Sequence, residues 1–313
     1  MSRIVPSQIA APTGAELRDR FGPVSGIEFR DEPAGRTRVV IANRHASAQV
    51  LVHGACVVHY QPQGSDPVLW FGRHNQFEPG AVIHGGIPIC WPWFDVHLSN
   101  PALPDHGFAR LLPWELHAIQ VLPDDSTSLE WGLASNALTR SLWPHEFDLR
   151  YRIDVGERLK VTLEMSNRSA DEVAIEVALH SYLAVSDVHQ IRIDGLAGTE
   201  LIDKTRRGER RRHEQDPLRI AEETDHVFLK ARGPCRIVDP QAKRCLHIEN
   251  QGTDCIVVWN PWRETARTLP DFGADEWQEM VCVEAANVAD YALRLAPGQI
   301  HVMGTALTCE PLA

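Results

Sequence analysis

Apolar and polar residues alternate with period two along much of this chain. Leu159, Val161, Leu163 and Met165 are separated by Lys160, Thr162 and Glu164, so one face of a strand meets a core and the other meets solvent. Residues 173–185 alternate likewise. Val173, Ile175, Val177 and Leu179 share one face, and Glu176, Ala178, His180 and Tyr182 the other. Further strands are predicted near 37–42, 48–60, 127–132, 148–155, 190–194, 244–249, 255–259, 281–284, 291–295 and 300–307. Turn clusters such as Asn167-Arg168-Ser169 and Ala296-Pro297-Gly298 separate them. Helical periodicity is confined to short stretches at 14–20 and 274–278. Many strands with few short helices predict an all-β sandwich or barrel. No internal repeat or low-complexity linker divides the sequence. Residues 1–313 are therefore predicted to form a single domain, with about 1–30 as a peripheral N-terminal segment.

Composition narrows the partners. Hydrophobic residues make up 43% of the 313 positions and charged residues 23%, which supplies a large core and argues against disorder. The net charge of −11 repels nucleic-acid phosphates and anionic lipid, so neither is an expected partner. Only four of the 31 basic residues are lysines (160, 204, 230 and 243), which reads as a coding bias. Seven cysteines, an odd number with no C-x-x-C spacing, lie mostly in apolar runs and are expected to be reduced, buried thiols of a cytoplasmic protein. Residues 1–20 contain no apolar signal core, and no stretch approaches 18 apolar residues, so no membrane span is expected.

Several common chemistries are missing. There is no P-loop, no G-x-G-x-x-G and no G-x-S-x-G. His145-Glu146 begins like H-E-x-x-H, but Leu149 stands where the second histidine belongs. Fifteen histidines show no close pair repeating at strand or helix spacing, so no metal and no cofactor are expected.

Two irregular, Pro- and Trp-rich stretches, 72–113 and 260–280, are long loops of the kind that carry sites. In the first, His84-Gly85-Gly86-Ile87-Pro88-Ile89-Cys90-Trp91-Pro92-Trp93-Phe94 fixes a tight backbone path and offers three flat rings. Those rings suit either a carbohydrate floor or a packed core corner. Asp105, His106 and Arg110 lie within six residues. Arg110 can grip a phosphate or diol with paired hydrogen bonds and His106 can bond a sugar oxygen; the alternative is a surface Asp105–Arg110 ion pair. His180 sits mid-strand and Glu284 ends the apolar run Val281-Cys282-Val283, and each alone reads equally as structural. Asp225 follows Glu223-Thr224 and can accept sugar hydroxyls or cap a turn. Five arginines between 206 and 212 form a solvated loop or a supplementary anion site.

Taken in order, GGIPICWPWF at 85–94, HGFAR at 106–110, LWPHEF at 142–147, ALHSYLAV at 178–185, ETD at 223–225, VVWNPW at 257–262 and VCVEAA at 281–286 resemble the aldose 1-epimerase superfamily, in its hexose-6-phosphate mutarotase branch. The resemblance spans roughly residues 35–305. It implies a β-supersandwich of the galactose-mutarotase type, a monomer without metal in its chemistry, and a sugar or sugar phosphate as ligand. It carries the family's catalytic histidine onto His180 and its catalytic glutamate onto Glu284. Arg110, Asp225 and His106 become substrate ligands. Two positions depart from the pattern: relatives commonly carry Arg where His84 stands, and some carry Gln where Asp105 stands. Both departures remove cationic or neutral contacts that would favour a phosphate, and the arginines at 206–212 are the expected compensation.

The implied reaction interconverts α and β anomers of hexose 6-phosphates, glucose 6-phosphate foremost. Glu284 as carboxylate takes the anomeric proton while protonated His180 donates to the ring oxygen. Two rivals remain: an aldose 1-epimerase for unphosphorylated hexoses, and a non-catalytic carbohydrate-binding protein that would need neither His180 nor Glu284.

Overall fold

A computed structural model describes residues 10–78 and 81–312. Its element order is almost wholly β. Two antiparallel eight-stranded sheets dominate, joined by a four-stranded meander and a short two-stranded pair. The front sheet runs Glu209–Arg212, Glu200–Asp203, Thr224–Leu229, Cys255–Asn260, Met280–Asn287, Val177–Leu179 and Ile89–Cys90, with Tyr182–Ala184 also on Met280–Asn287. The back sheet runs Arg192–Asp194, Cys235–Asp239, Arg244–Gln251, Ile300–Pro311, Leu159–Asn167, Phe147–Val155, Thr127–Ala134 and Glu115–Val121. Alternation explains the back sheet well: Leu159, Val161, Leu163 and Met165 are buried and Lys160, Thr162 and Glu164 are half-exposed. Apolar side chains of both sheets and of the meander join one hydrophobic cluster.

Each predicted strand region contains strand. Two of them are subdivided. Residues 48–60 form a hairpin, Ala46–Leu51 and Cys56–Pro62, because Gly54 and Ala55 take left-handed backbone angles between them. Residues 173–185 break into Val173–Ile175, Val177–Leu179 and Tyr182–Ala184. His180 therefore sits in a break between strands and not in mid-strand. The predicted faces persist, with Val173, Ile175, Val177 and Leu179 in the main core and His180 and Tyr182 on the cleft, but residues 177–183 are buried throughout, so the second face meets a cleft and not open solvent. Of the predicted helices, 14–20 appears as Gly14–Phe21, capped by Thr13, whose hydroxyl accepts from Glu16 N–H at 3.2 Å. The stretch 274–278 is a single 3₁₀ turn, Glu276–Glu279.

The described part of the N-terminal segment packs on the outside of the meander. Leu17 is buried in the main cluster, and Ile27–Glu32 pairs with Arg36–Ala42 as the outer strand of the meander. The expectation for residues 1–9 lies outside the described residues. All seven cysteines are free, and six are buried. No helix among the described residues is long and apolar enough to cross a membrane.

Candidate active site

The front sheet is antiparallel, and its register brings the two key side chains together. Leu179 pairs with Ala285 and Tyr182 with Cys282. The registers on either side of the break agree, so His180 stands opposite Glu284, as cross-strand neighbours do. His180 N–H donates to the carbonyl of Pro88 at 3.0 Å, which ties the break to the Gly-Gly-Ile-Pro turn. That turn needs its glycines: Gly86 has φ 68°, and a Cβ there would lie 2.1 Å from the Val57 carbonyl oxygen. A second crossing holds His106 and Arg110. Gly107, at φ 73°, passes so close to Trp91 that a Cβ would meet its carbonyl oxygen at 1.9 Å.

These elements surround a cleft of about 380 Å³. All seven predicted site residues line it: His84, Asp105, His106, Arg110, His180, Asp225 and Glu284. Of the two readings open for the rings of 85–94, the tryptophans take the core one. Trp91 and Trp93 lie in the main core, Trp91 packing on Phe108, Trp143 and Phe147. The rings facing the cleft are Phe94, Tyr182 and Trp259. Of these, only Phe94 belongs to the anticipated segment.

His180 Nε2 lies 3.5 Å from Glu284 Oε1. Glu284 is fully buried, and neither of its carboxyl oxygens has a hydrogen-bond partner among the described residues; the same is true of His180 Nδ1. Tyr182 stacks on the His180 ring at 4.6 Å and Trp259 meets it edge-on at 5.9 Å. Burial pushes the Glu284 carboxyl well above the usual carboxylate range, with Asp225 adding repulsion against the pull of Lys204. Burial likewise holds the His180 imidazole well below its ordinary value, and Arg110 adds to the effect. Burial thus works against the charged form of both partners. The expected carboxylate and imidazolium differ from the neutral pair by one moved proton.

His106 accepts the Asp95 N–H at its Nδ1, 3.1 Å away. Burial and then Arg110 keep this ring neutral, so its Nε2 carries the proton and serves as a donor. Arg110 Nη2 donates to the Asp105 carbonyl at 2.8 Å, while its Nε is buried with no partner among the described residues. His84 Nδ1 lies 3.0 Å from Asp271 Oδ1.

Sequence reasoning missed Lys204. Its Nζ reaches 2.7 Å from Asp95 Oδ1 and 3.1 Å from Asp225 Oδ2, above the Phe94 ring. Burial lowers its pKa, but Asp225 and Asp95 together outweigh burial and hold it charged. Asp225 has that one lysine to share with Asp95, so burial wins there and its pKa rises. The signal available in the sequence was a lysine heading an arginine-rich run in a lysine-poor chain. The arginines themselves do not enter the cleft. Arg206 pairs with Asp203 and Glu222, Arg210 with Glu200 and Asp290, and Arg211 with Asp203. Residues 209–212 form a charged edge strand, not a loop, and none of them lines the cleft beside His84. Among the described residues no three His, Cys, Asp or Glu side chains converge as a metal site.

An antiparallel supersandwich with a buried imidazole–carboxyl pair in a concave, polar-rimmed cleft defines a mutarotase-type β-protein, and comparison with known proteins agrees. A galactose 1-epimerase from Lactobacillus acidophilus superposes with a TM-score of 0.68 over 91% of this chain and 98% of its own, at 12% identity, a likeness of fold alone. A solved structure from Salmonella typhimurium, provisionally named a mutarotase, superposes with a TM-score of 0.86 at 28% identity, covering 93% of this chain and 96% of its own. A protein of Cenchrus ciliaris, provisionally named a glucose-6-phosphate 1-epimerase, is 30% identical over 298 residues, 92% of this chain and 89% of that one. The chain belongs to the aldose 1-epimerase family, whose model matches residues 37–308.

Proposed function

We propose that this epimerase interconverts the anomers of hexose 6-phosphates, glucose 6-phosphate foremost, with His180 and Glu284 as its acid–base pair. The observation that carries the reading is Glu284 itself: a fully buried carboxyl with both oxygens unpartnered among the described residues, opposite His180. A buried polar group left unsatisfied costs about 1–3 kcal/mol, and a proton-transfer role explains why it is kept.

Ring opening requires Glu284 as carboxylate to take the proton of the anomeric hydroxyl while His180 as imidazolium gives one to the ring oxygen. The C1 to ring-oxygen bond breaks and C1 becomes an aldehyde. Glu284 is then a neutral acid and His180 a neutral imidazole, which is the state burial favours. After rotation about C1–C2, His180 takes back the proton as the ring oxygen attacks the other face of C1, and Glu284 returns its proton to the aldehyde oxygen. Each positioned transfer contributes roughly 10²–10⁴-fold. His106, as a neutral donor, Asp225, as an acceptor, and the flanking His84 and Asp105 would hold the sugar. Arg110 and Lys204 are the cleft's permanent cations and suit the phosphate. Their presence favours the phosphorylated substrate despite His84. The reading also takes the chain as one domain acting as a monomer in the cytoplasm; the apolar cluster shared by both large sheets supports the single domain, and seven free thiols, six of them buried, suit a reducing compartment.

Anomer-exchange NMR on glucose 6-phosphate and on glucose tests the reading. Acceleration of the phosphorylated sugar by a larger kcat/KM is expected. Acceleration of glucose alone would move the protein to unphosphorylated hexoses, and exchange of neither would leave it a sugar binder.

A further inference from the structure

The arginine-rich segment remains without a role in the cleft. Its geometry supplies one. Glu200–Asp203 and Thr224–Leu229 are antiparallel neighbours, and Asp203 is the register partner of His226. Side chains alternate along strands, so Asp225 and His226 leave the sheet on opposite faces. Asp225 faces the cleft and meets Lys204. His226 faces away, where it meets Phe228 and places its Nε2 3.2 Å from Asp203 Oδ2. Two adjacent residues, Asp203 and Lys204, thus pair with the two adjacent residues opposite them, His226 and Asp225, on opposite faces of the sheet.

Asp203 is 1% exposed and heavily tied. The Thr205 hydroxyl donates to its Oδ1 at 2.6 Å, Arg211 Nη2 donates to its Oδ2 at 3.3 Å, and Arg206 Nε lies 3.6 Å from that oxygen. Its main-chain carbonyl accepts Gly208 N–H at 2.9 Å, closing the turn that begins with Lys204. Burial acts to raise the Asp203 pKa, but Thr205, His226 and Arg211 outweigh it, so the carboxyl stays ionised. Ionised, it is a point on which Thr205 and Arg206 of the turn, Arg211 of the edge strand and His226 converge.

We propose that Asp203, clamped by His226, Thr205 and Arg211, is a positioning residue that aims Lys204 into the cleft, and that the arginine-rich strand acts on substrate only through this clamp. Lys204 has a long, flexible stem, and the turn that carries it has little apolar anchorage of its own, since none of residues 204–206 is buried. An ionised, multiply bonded carboxylate one residue upstream supplies the fixed point. The substrate consequence rests on the phosphate reading above; the structural consequence does not.

The test uses the full-length protein and the variants Asp203→Asn, Lys204→Met and the double variant. In a crystal structure of Asp203→Asn, Lys204 Nζ is expected outside hydrogen-bond reach of Asp225; retention near the present 3.1 Å overturns the proposal whatever the substrate. In kinetics, Asp203→Asn is expected to raise KM for glucose 6-phosphate about tenfold, the scale of one charge-assisted hydrogen bond, with the change in KM and not in kcat. Adding Asp203→Asn to Lys204→Met should then cost nothing further, because the anchor acts only through the lysine. Additive losses, or an equal loss in kcat, would make Asp203 merely structural. If Asp203→Asn does not fold, Arg211→Met removes one arm of the same clamp and is expected to shift KM in the same direction. If wild-type enzyme discriminates against the phosphorylated sugar, the functional reading fails, while the displacement of Lys204 in the crystal still decides the clamp.

Discussion

Val283 and Ala285 pack into the apolar core shared with the back sheet, whereas Glu284 between them lines the cleft. The same division runs along Thr224–Leu229, where Phe228 joins the core and Asp225 and Val227 take the other side. Both faces of the front sheet are buried at its centre, so burial alone does not distinguish them. Satisfaction does. The core face gains about 25 cal/mol per Å² of apolar surface removed from water. The cleft face holds a carboxyl and an imidazole whose desolvation works against folding. A sheet built for stability alone would have apolar residues at 180 and 284; the excess cost on one face marks where function is held.

Breaking the core face should have the larger effect on stability. Phe228→Ala empties a fully buried site in the main cluster and is expected to destabilise by about 3–5 kcal/mol in denaturant unfolding. Molecules that remain folded should keep the acid–base pair.

Removing the charge problem on the cleft face should do the reverse. Burial raises the Glu284 pKa above its ordinary 4.5, so the folded carboxyl keeps a proton that the unfolded chain releases. The carboxyl's contribution is therefore fully present below about pH 4.5 and is lost as pH rises toward the folded value. Glu284→Gln should show no Tm advantage over wild type below that pH and gain a few degrees above it. A constant Tm difference across the range would mean that burial does not perturb this group.

Legibility in the sequence divided along the same line. The back sheet was readable because one face is wet and alternation is clean. The charged edge strand Glu209–Arg212 was not, because it contains no apolar residue and forms only by cross-strand pairing such as Glu200 with Arg212. In the front sheet both faces are buried at the centre, so the pattern of buried and exposed positions carries no mark of the break at His180. The site residues were found through ordered motifs, and all seven reach the cleft. Their spacing did not disclose that His180 stands opposite Glu284, which is a matter of register between segments a hundred residues apart. Trp91 and Trp93 stayed undecided in the sequence because a Gly-Pro-Trp corner reads alike as ligand floor or core; the structure gives them to the core. Lys204 escaped because its role depends on which way a turn is aimed, and that is set by Asp203.

In the proposed mechanism His180 and Glu284 exchange protons with the sugar as a unit. Anomer exchange measured by NMR for His180→Ala, Glu284→Gln and the double variant decides whether they do. Each single variant should lose about 10²–10⁴-fold in kcat, and the double variant should lose little more than the worse single. Near-wild-type exchange in either single variant, with the fold intact, would contradict the claim.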